Sequence, residues 1–158
     1  MNSHHTVAIG TWEGDKQQSI EYNSSIAVGI DCPRAKLRVS ILLDTIQEYQ
    51  VRYIFSDEEI SEAVNEAGLI IGARGIAYKG VLQRKPVIVV GEYGFGGLVT
   101  PDTLHEQYNN YFRGKINGIK AEYFSLERLE EEIRRGFALT FQELQMMSNQ
   151  TIRFLHNI

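Results

Sequence analysis

Residues 68–90, with the sequence GLIIGARGIAYKGVLQRKPVIVV, give the clearest indication of the fold of this chain. Its two ends, residues 68–71 and 86–90, are apolar on both faces, as strands inside a parallel sheet are. Between them, residues 75–84 predict a helix. A buried strand, a helix and a second buried strand form the unit from which parallel sheets are built.

The same alternation extends outward in both directions. Further strands are predicted at residues 6–10, 25–30 and 51–55, and a helix follows each of the last two. Residues 125–156 predict C-terminal helices, because apolar residues recur there at spacings of three and four. The sequence therefore predicts an α/β fold: one Rossmann-like domain over residues 1–158, with a mainly parallel sheet and helices on both faces.

Local signals mark where the helices begin. Pro33 stands in the first turn of the first helix, a position where its missing N–H costs nothing. Ser56 and Glu59 have the spacing of a capping box, in which two side chains satisfy backbone N–H groups reciprocally. Ser125 opens the first C-terminal helix. The acidic run at residues 130–132 is predicted to be a solvated helix face.

Two stretches have no clear strand or helix pattern. Residues 11–25 are polar and are predicted to hold a turn or loop. Residues 91–122, with the glycine-rich GEYGFGG and the tyrosine-rich HEQYNNYFRGKINGIK, are predicted to form a surface excursion with one short helix. Within it, the cluster of Tyr108, Tyr111 and Phe112 is interpreted as a packed flap or a subunit contact.

Composition excludes several classes of function. A net charge of −4, from 16 basic and 20 acidic residues, argues against a general affinity for nucleic acid or for anionic membranes. No run of about 18 apolar residues occurs, so no membrane span is expected. One cysteine, Cys32, excludes an intrachain disulfide and favours a reducing, cytoplasmic compartment. The adjacent His4 and His5 lack companion ligands, and neither a metal site nor a cofactor is predicted.

A phosphate-binding site is the first candidate for function. The strand at residues 68–71 ends in Gly72, Ala73, Arg74 and Gly75 and runs directly into a helix. A helix N-terminus presents unpaired N–H groups and a partial positive charge, which attract phosphate. Arg74 adds a donor suited to phosphate. Lys79, one turn later, reaches the same site or points to solvent.

The glycine-rich stretch after the next strand is the second candidate. Gly94, Phe95, Gly96 and Gly97 are predicted to form a loop beside the first one, where they cover a ligand or shape its pocket. A purely structural interpretation stays open, since tight turns also need glycine. GARG matches neither the P-loop nor the dinucleotide-binding fingerprint, and Arg74 then lies on a solvated surface or in an ion pair.

The order of these pieces resembles the C-terminal, donor-binding half of a GT-B glycosyltransferase related to the retaining family 4 enzymes. In that family, a helix with the pattern E-A-M-A-x-G-x-P-V is followed by a valine-rich strand and a glycine-rich loop. The stretch KGVLQRKPVIVVGEYGFGGLVTP occupies that place when aligned on Pro86 and Val87. The resemblance covers roughly residues 50–115 and extends to UDP-N-acetylglucosamine 2-epimerases, which share the fold.

The resemblance implies that GARG binds the phosphates of a nucleotide sugar. Two residues depart from the family: Lys79 takes the place of the glutamate that holds the ribose hydroxyls, and Arg84 that of a glycine. A lysine cannot accept those hydroxyl hydrogen bonds. The expected function is a glycosyltransferase-like donor-binding domain that lacks the acceptor domain and works with a partner chain. The alternative is a stand-alone or degenerate module, or a homodimer, that binds a phosphorylated metabolite without catalysis, and no catalytic residues are predicted.

Overall fold

The computed structural model describes residues 4–13, 16–115, 119–120 and 122–156. A hairpin of two antiparallel strands comes first, followed by a five-stranded sheet in the order β4-β3-β5-β6-β7. The strands are β1 (His4–Glu13), β2 (Lys16–Asn23), β3 (Ser25–Gly29), β4 (Gln50–Tyr53), β5 (Leu69–Gly72), β6 (Val87–Gly91) and β7 (Gly94–Leu98). β4, β3, β5 and β6 are parallel, and β7 pairs with β6 in the antiparallel direction.

Helices cover both faces of this sheet, which confirms the predicted Rossmann-like α/β fold. They are α1 (Pro33–Ile46), α2 (Ile60–Glu66), α3 (Gly75–Leu82), α4 (Leu104–Asn109), α5 (Leu126–Phe137) and α6 (Phe141–His156). Buried side chains of α1 and α5 form one core with the sheet. Those of α2, α3, α4 and α6 form the other. No helix in the described ranges is long and apolar enough to cross a bilayer.

Two stretches predicted to be loops contain strands in the structure. Within the turn or loop predicted at residues 11–25, residues 16–23 form β2, paired with β1, and residues 14–15 lie outside the described ranges. The glycine-rich stretch at 94–98 forms β7, with Phe95 and Leu98 buried at 4% exposure each. Glycine is required at Gly97 because its φ is +80° and because a Cβ there would lie 2.9 Å from an oxygen of Glu132. A high glycine content is typical of loops and also of tightly packed edge strands, so it does not distinguish the two.

The predicted surface excursion is anchored to the sheet where it is described; its residues 116–118 and 121 lie outside the described ranges. After α4, residues 110–114 cross the carboxyl ends of β5 and β6, and we call them the crossing segment. The carbonyl of Phe112 accepts the N–H of Arg74 at 2.9 Å, and that of Arg113 accepts the N–H of Tyr93 at 2.9 Å. The side chain of Phe112 is fully buried.

The predicted helix starts at Pro33, Ser56 and Ser125 are confirmed. The prediction that residues 130–132 form one solvated helix face is wrong for Glu132. The carboxylate of Glu59 accepts the N–H of Ser56 at 3.3 Å, and the hydroxyl of Ser125 accepts the N–H of Arg128 at 3.1 Å. Glu132, in contrast, is only 3% exposed. Its carboxylate accepts the N–H of Leu98 at 2.6 Å, so it supports β7 from within the fold.

Candidate functional site

The candidate site lies at the carboxyl end of β3, where the next two strands along the chain, β4 and β5, lie on opposite sides of β3. From β3 the chain passes through α1 to β4 on one side, and β5 later joins β3 on the other side. The connections after β3 and β5 therefore leave the sheet in opposite directions and open a crevice at the carboxyl ends of the strands. Ligands of open α/β sheets bind at such a switch point.

The crevice has a volume of about 330 Å³, inside the range of small-molecule sites, roughly 300–1,000 Å³. Its lining comes from four parts of the chain: residues 29–31 after β3, residues 54–57 and 60 after β4, residues 73–76 after β5, and Tyr111 of the crossing segment.

Two glycines let the start of α3 approach the strand ends. Gly29 and Gly72 are paired across β3 and β5. A Cβ on Gly72 would lie 2.6 Å from the carbonyl oxygen of Gly29 and 2.7 Å from the side chain of Ile76. Any larger residue at position 72 would therefore push the N-terminus of α3 away from the sheet.

Arg74 holds an unusual backbone conformation at this helix start. Its φ of 59° and ψ of −127° are close to a region that only glycine occupies readily. Its N–H is bonded to Phe112, and its guanidinium is 3.4 Å from the carboxylate of Glu92. Both side chains are about half exposed, so the ion pair is a weak one. Arg74 therefore lines the crevice in a strained backbone conformation that glycine would adopt more easily.

Charges of both signs surround the crevice. Arg74 is the basic residue of its lining, and Asp31 and Asp57 are exposed acidic ones. A phosphate therefore finds favourable charge only at the α3 side, while the carboxylates opposite are suited to accept hydrogen bonds from hydroxyl groups.

Aromatic residues line the crevice on both sides. Phe55 follows β4 and is 76% exposed, and Tyr111 is 43% exposed. Behind Tyr111 lies Tyr78, with 6.2 Å between the ring centroids. Burial, and then the neighbouring Tyr108 and Tyr111, raise the pKa of the Tyr78 hydroxyl above its usual value of 10.0. Tyr78 therefore stays neutral at physiological pH and supports Tyr111 by packing.

The structure brings together only the first group of predicted site residues. Ala73, Arg74 and Gly75 line the crevice, and Gly72 ends β5 just before them, paired with the lining residue Gly29. Lys79 points elsewhere: its ammonium donates to the hydroxyl of Ser61 on α2 at 2.9 Å.

The second predicted group lies apart from the crevice. Gly94, Phe95, Gly96 and Gly97 belong to β7, which β6 separates from β5. The Phe95 ring stacks on Phe124 at 4.6 Å inside the core.

Sequence reasoning missed Phe55, Asp57 and Tyr111. Phe55 ends the strand predicted at residues 51–55, which the structure ends at Tyr53, and Asp57 follows it closely. Residues after parallel strands line switch-point crevices. The sequence contained that signal. It did not contain the order of the strands in the sheet, which shows that these residues share one crevice. Among the described side chains, no group of three or more His, Cys, Asp or Glu residues is arranged to hold a metal ion; those of His4 and His5 are not described.

Comparison with protein-family models, with curated proteins and with solved structures finds no match to this chain.

The strain at Arg74 leads to a stability prediction. We expect Arg74→Gly to stabilise the fold by roughly 1 kcal/mol, because relief of 1–3 kcal/mol of backbone strain exceeds the 0.5–1 kcal/mol entropic cost of glycine. Urea denaturation of the two proteins measures this difference. Gln47→Gly is the comparison variant, since Gln47 has the commoner left-handed conformation of a helix C-cap (φ 58°, ψ 15°), and it should gain less stability than Arg74→Gly. An Arg74→Gly protein less stable than the parent would contradict the assignment of strain.

Proposed function

We propose that this chain binds a phosphorylated small molecule in the switch-point crevice, with a phosphate at the N-terminus of α3 beside Arg74. The observation that carries the proposal is the strained arginine at a helix start that forms one wall of the crevice. Strained residues cluster at ligand sites, where the rest of the fold maintains them.

The start of α3 supports this placement of the phosphate. The N–H of Tyr78 is bonded to the carbonyl of Arg74, so the N–H groups of residues 75–77 precede that helical bond. Such groups, together with the helix dipole, make a helix N-terminus an anion site. Arg74 adds a charged donor. Its ion pair with Glu92 is weak and half exposed, so a ligand phosphate competes with Glu92 for the guanidinium.

A glycosyltransferase-like donor-binding domain, acting with a partner chain on a nucleotide sugar, is a narrower form of the same proposal. The strand–GARG–helix order favours it. Two observations weigh against it: Lys79 is engaged with Ser61 away from the crevice, and β7 stands where that family has a glycine-rich loop. The binding module without catalysis therefore accounts better for the geometry.

Arg74→Ala should weaken a phosphate ligand by at least about tenfold, equivalent to about 1.4 kcal/mol. The ligand is first found by a thermal-shift panel of ribose 5-phosphate, nucleoside monophosphates and UDP-sugars, and its Kd is then measured by titration calorimetry. A ligand at 100 times its Kd adds about 2.7 kcal/mol of stability, which such a panel detects.

Lys79→Ala is the matched control, because this variant also removes one positive charge from the 74–79 region. The Kd of this variant should stay within about twofold of that of the parent protein, a change of about 0.4 kcal/mol, because Lys79 contacts Ser61 away from the crevice. Equal weakening by both variants would indicate a general charge effect and would contradict the proposed position of the phosphate. A preference for UDP-sugars over all monophosphates would favour the donor-domain form.

A further inference from the structure

We infer that the crevice selects ligands that carry a planar ring, a nucleobase above all, and that Phe55 and Tyr111 are the two side chains on which the ring stacks. This inference rests on the proposed phosphate site and adds the class of ligand. The two residues that carry it, Phe55 and Tyr111, lie outside the helix start. The positive φ values of Tyr111 and Phe112 support it.

Phe55 is exposed at the crevice although the fold holds its backbone firmly. Its side chain is 76% exposed, the largest exposed fraction among the large apolar residues whose burial is described. Its N–H donates to the carboxylate of Glu59 at 2.8 Å, so its position is fixed. The ammonium of Lys36 lies 4.3 Å from its ring centroid, a cation–π contact that orients the ring.

A single exposed phenylalanine is common on protein surfaces and has no meaning by itself. Tyr111 is the second, independent feature, because it lines the same crevice from the crossing segment. Tyr111 and Phe112 have consecutive positive φ values of 58° and 54°. Bulky residues rarely adopt this conformation.

The two positive φ values have a clear structural result. The chain reverses so that Phe112 enters the core and is fully buried, while Tyr111 stays at the crevice, 43% exposed. The N–H groups of Tyr111 and Phe112 are bonded to the carbonyls of Tyr108 and Gln107 at 2.9 and 2.8 Å, which maintains the reversal. Backbone strain is thus tolerated to hold an aromatic ring at the candidate site.

The remaining lining fits the other parts of a nucleotide. Asp31 and Asp57 line the same crevice, and a carboxylate accepts hydrogen bonds from ribose hydroxyls. The volume of about 330 Å³ lies within the range of small-molecule sites. A phosphate at α3, a ribose near the carboxylates and a base at the two aromatic residues account for the charged and aromatic groups around the crevice.

The test compares ligands that lack either the ring or the phosphate with ligands that carry both. The Kd values of ribose 5-phosphate, of the nucleotides UMP and AMP, and of the uncharged nucleosides uridine and adenosine are measured by NMR titration with the full chain. We expect at least one nucleotide to bind about fivefold or more tightly than ribose 5-phosphate, the smallest effect typical of base stacking. Tyr111→Leu and Phe55→Leu should each reduce this preference and leave the Kd of ribose 5-phosphate within about twofold.

Phe141→Leu is the control, since Phe141 is 67% exposed on α6 and is not part of the crevice lining. It should leave every Kd unchanged. Thermal melts of all variants verify that they are folded. Nucleotides that bind no more tightly than ribose 5-phosphate, or a preference that survives both substitutions, would overturn the ring inference and leave the phosphate site standing.

The same measurements separate the two proposals in the other direction. Nucleosides whose binding is weakened by Tyr111→Leu, combined with nucleotide binding that Arg74→Ala leaves intact, would support the aromatic residues and overturn the phosphate site. The absence of binding by every one of these ligands would overturn both.

Discussion

Replacing Phe112 by alanine should lower the free energy of unfolding by about 3–5 kcal/mol, the usual cost of removing a buried phenylalanine ring. Phe112 is fully buried, and its ring centroid lies 6.5 Å from that of Tyr78 and 6.2 Å from that of Tyr108. Alanine retains the unfavourable positive φ and fills none of the space, so nothing compensates for the lost contacts. Urea denaturation followed by circular dichroism measures the loss.

Two variants make this result specific to the buried ring. Phe112→Leu should cost less, because it leaves a smaller cavity. Tyr111→Leu changes the neighbouring residue of the crossing segment, which is half exposed, and should stay within about 1 kcal/mol of the parent. A Phe112→Ala protein that is destabilised by less than 1 kcal/mol would mean that the segment does not depend on this ring for its position.

The α/β fold was predictable because each of its central segments carries one unambiguous local signal. β5 and β6 are buried at every residue, and a strand buried on both faces has to be a continuous apolar run. The residues of α1 that face the core, such as Val39 and Leu42, recur with helical spacing. In these segments, the burial that the fold imposes and the local sequence preference agree.

β7 was not predictable in this way, because its contacts come from distant parts of the chain. The amide of Gln107 on α4 donates to the carbonyls of Gly96 and Gly97 at 3.2 and 3.4 Å. The carboxylate of Glu132 on α5 accepts the N–H of Leu98. Glycine, which by local preference indicates a loop, is there because these side chains pack closely against the strand.

The candidate site was half predictable for the same reason. GARG and its helix are contiguous, so Arg74 and Gly75 could be found from the sequence. Phe55 and Tyr111 come from separate segments that only the strand order and the crossing segment bring to one crevice. A pattern within one stretch of sequence contains no information about that proximity.

Glu132 shows the same limit at one residue, and its replacement by alanine is expected to cost about 2–3 kcal/mol. Its side chain is 4% exposed, and its carboxylate accepts the N–H of Leu98 at 2.6 Å and an N–H of the Arg135 guanidinium at 2.8 Å. Losing it leaves a buried backbone N–H without its acceptor, which costs about 1–3 kcal/mol, and hydrogen bonds to charged groups are the stronger ones. Arg135 is half exposed and is hydrated instead, so it adds little.

Glu131→Ala is the matched control, since Glu131 is exposed on the same helix and its loss should change the free energy of unfolding by no more than about 0.5 kcal/mol. Glu132→Gln keeps an acceptor for Leu98 and should fall between the two. Hydrogen exchange locates the effect: Glu132→Ala should reduce the protection of the amides of β7 more than that of β5, because Glu132 bonds the edge strand β7 directly and β5 lies inside the sheet. Equal stabilities of the two alanine variants would show that β7 holds without the carboxylate.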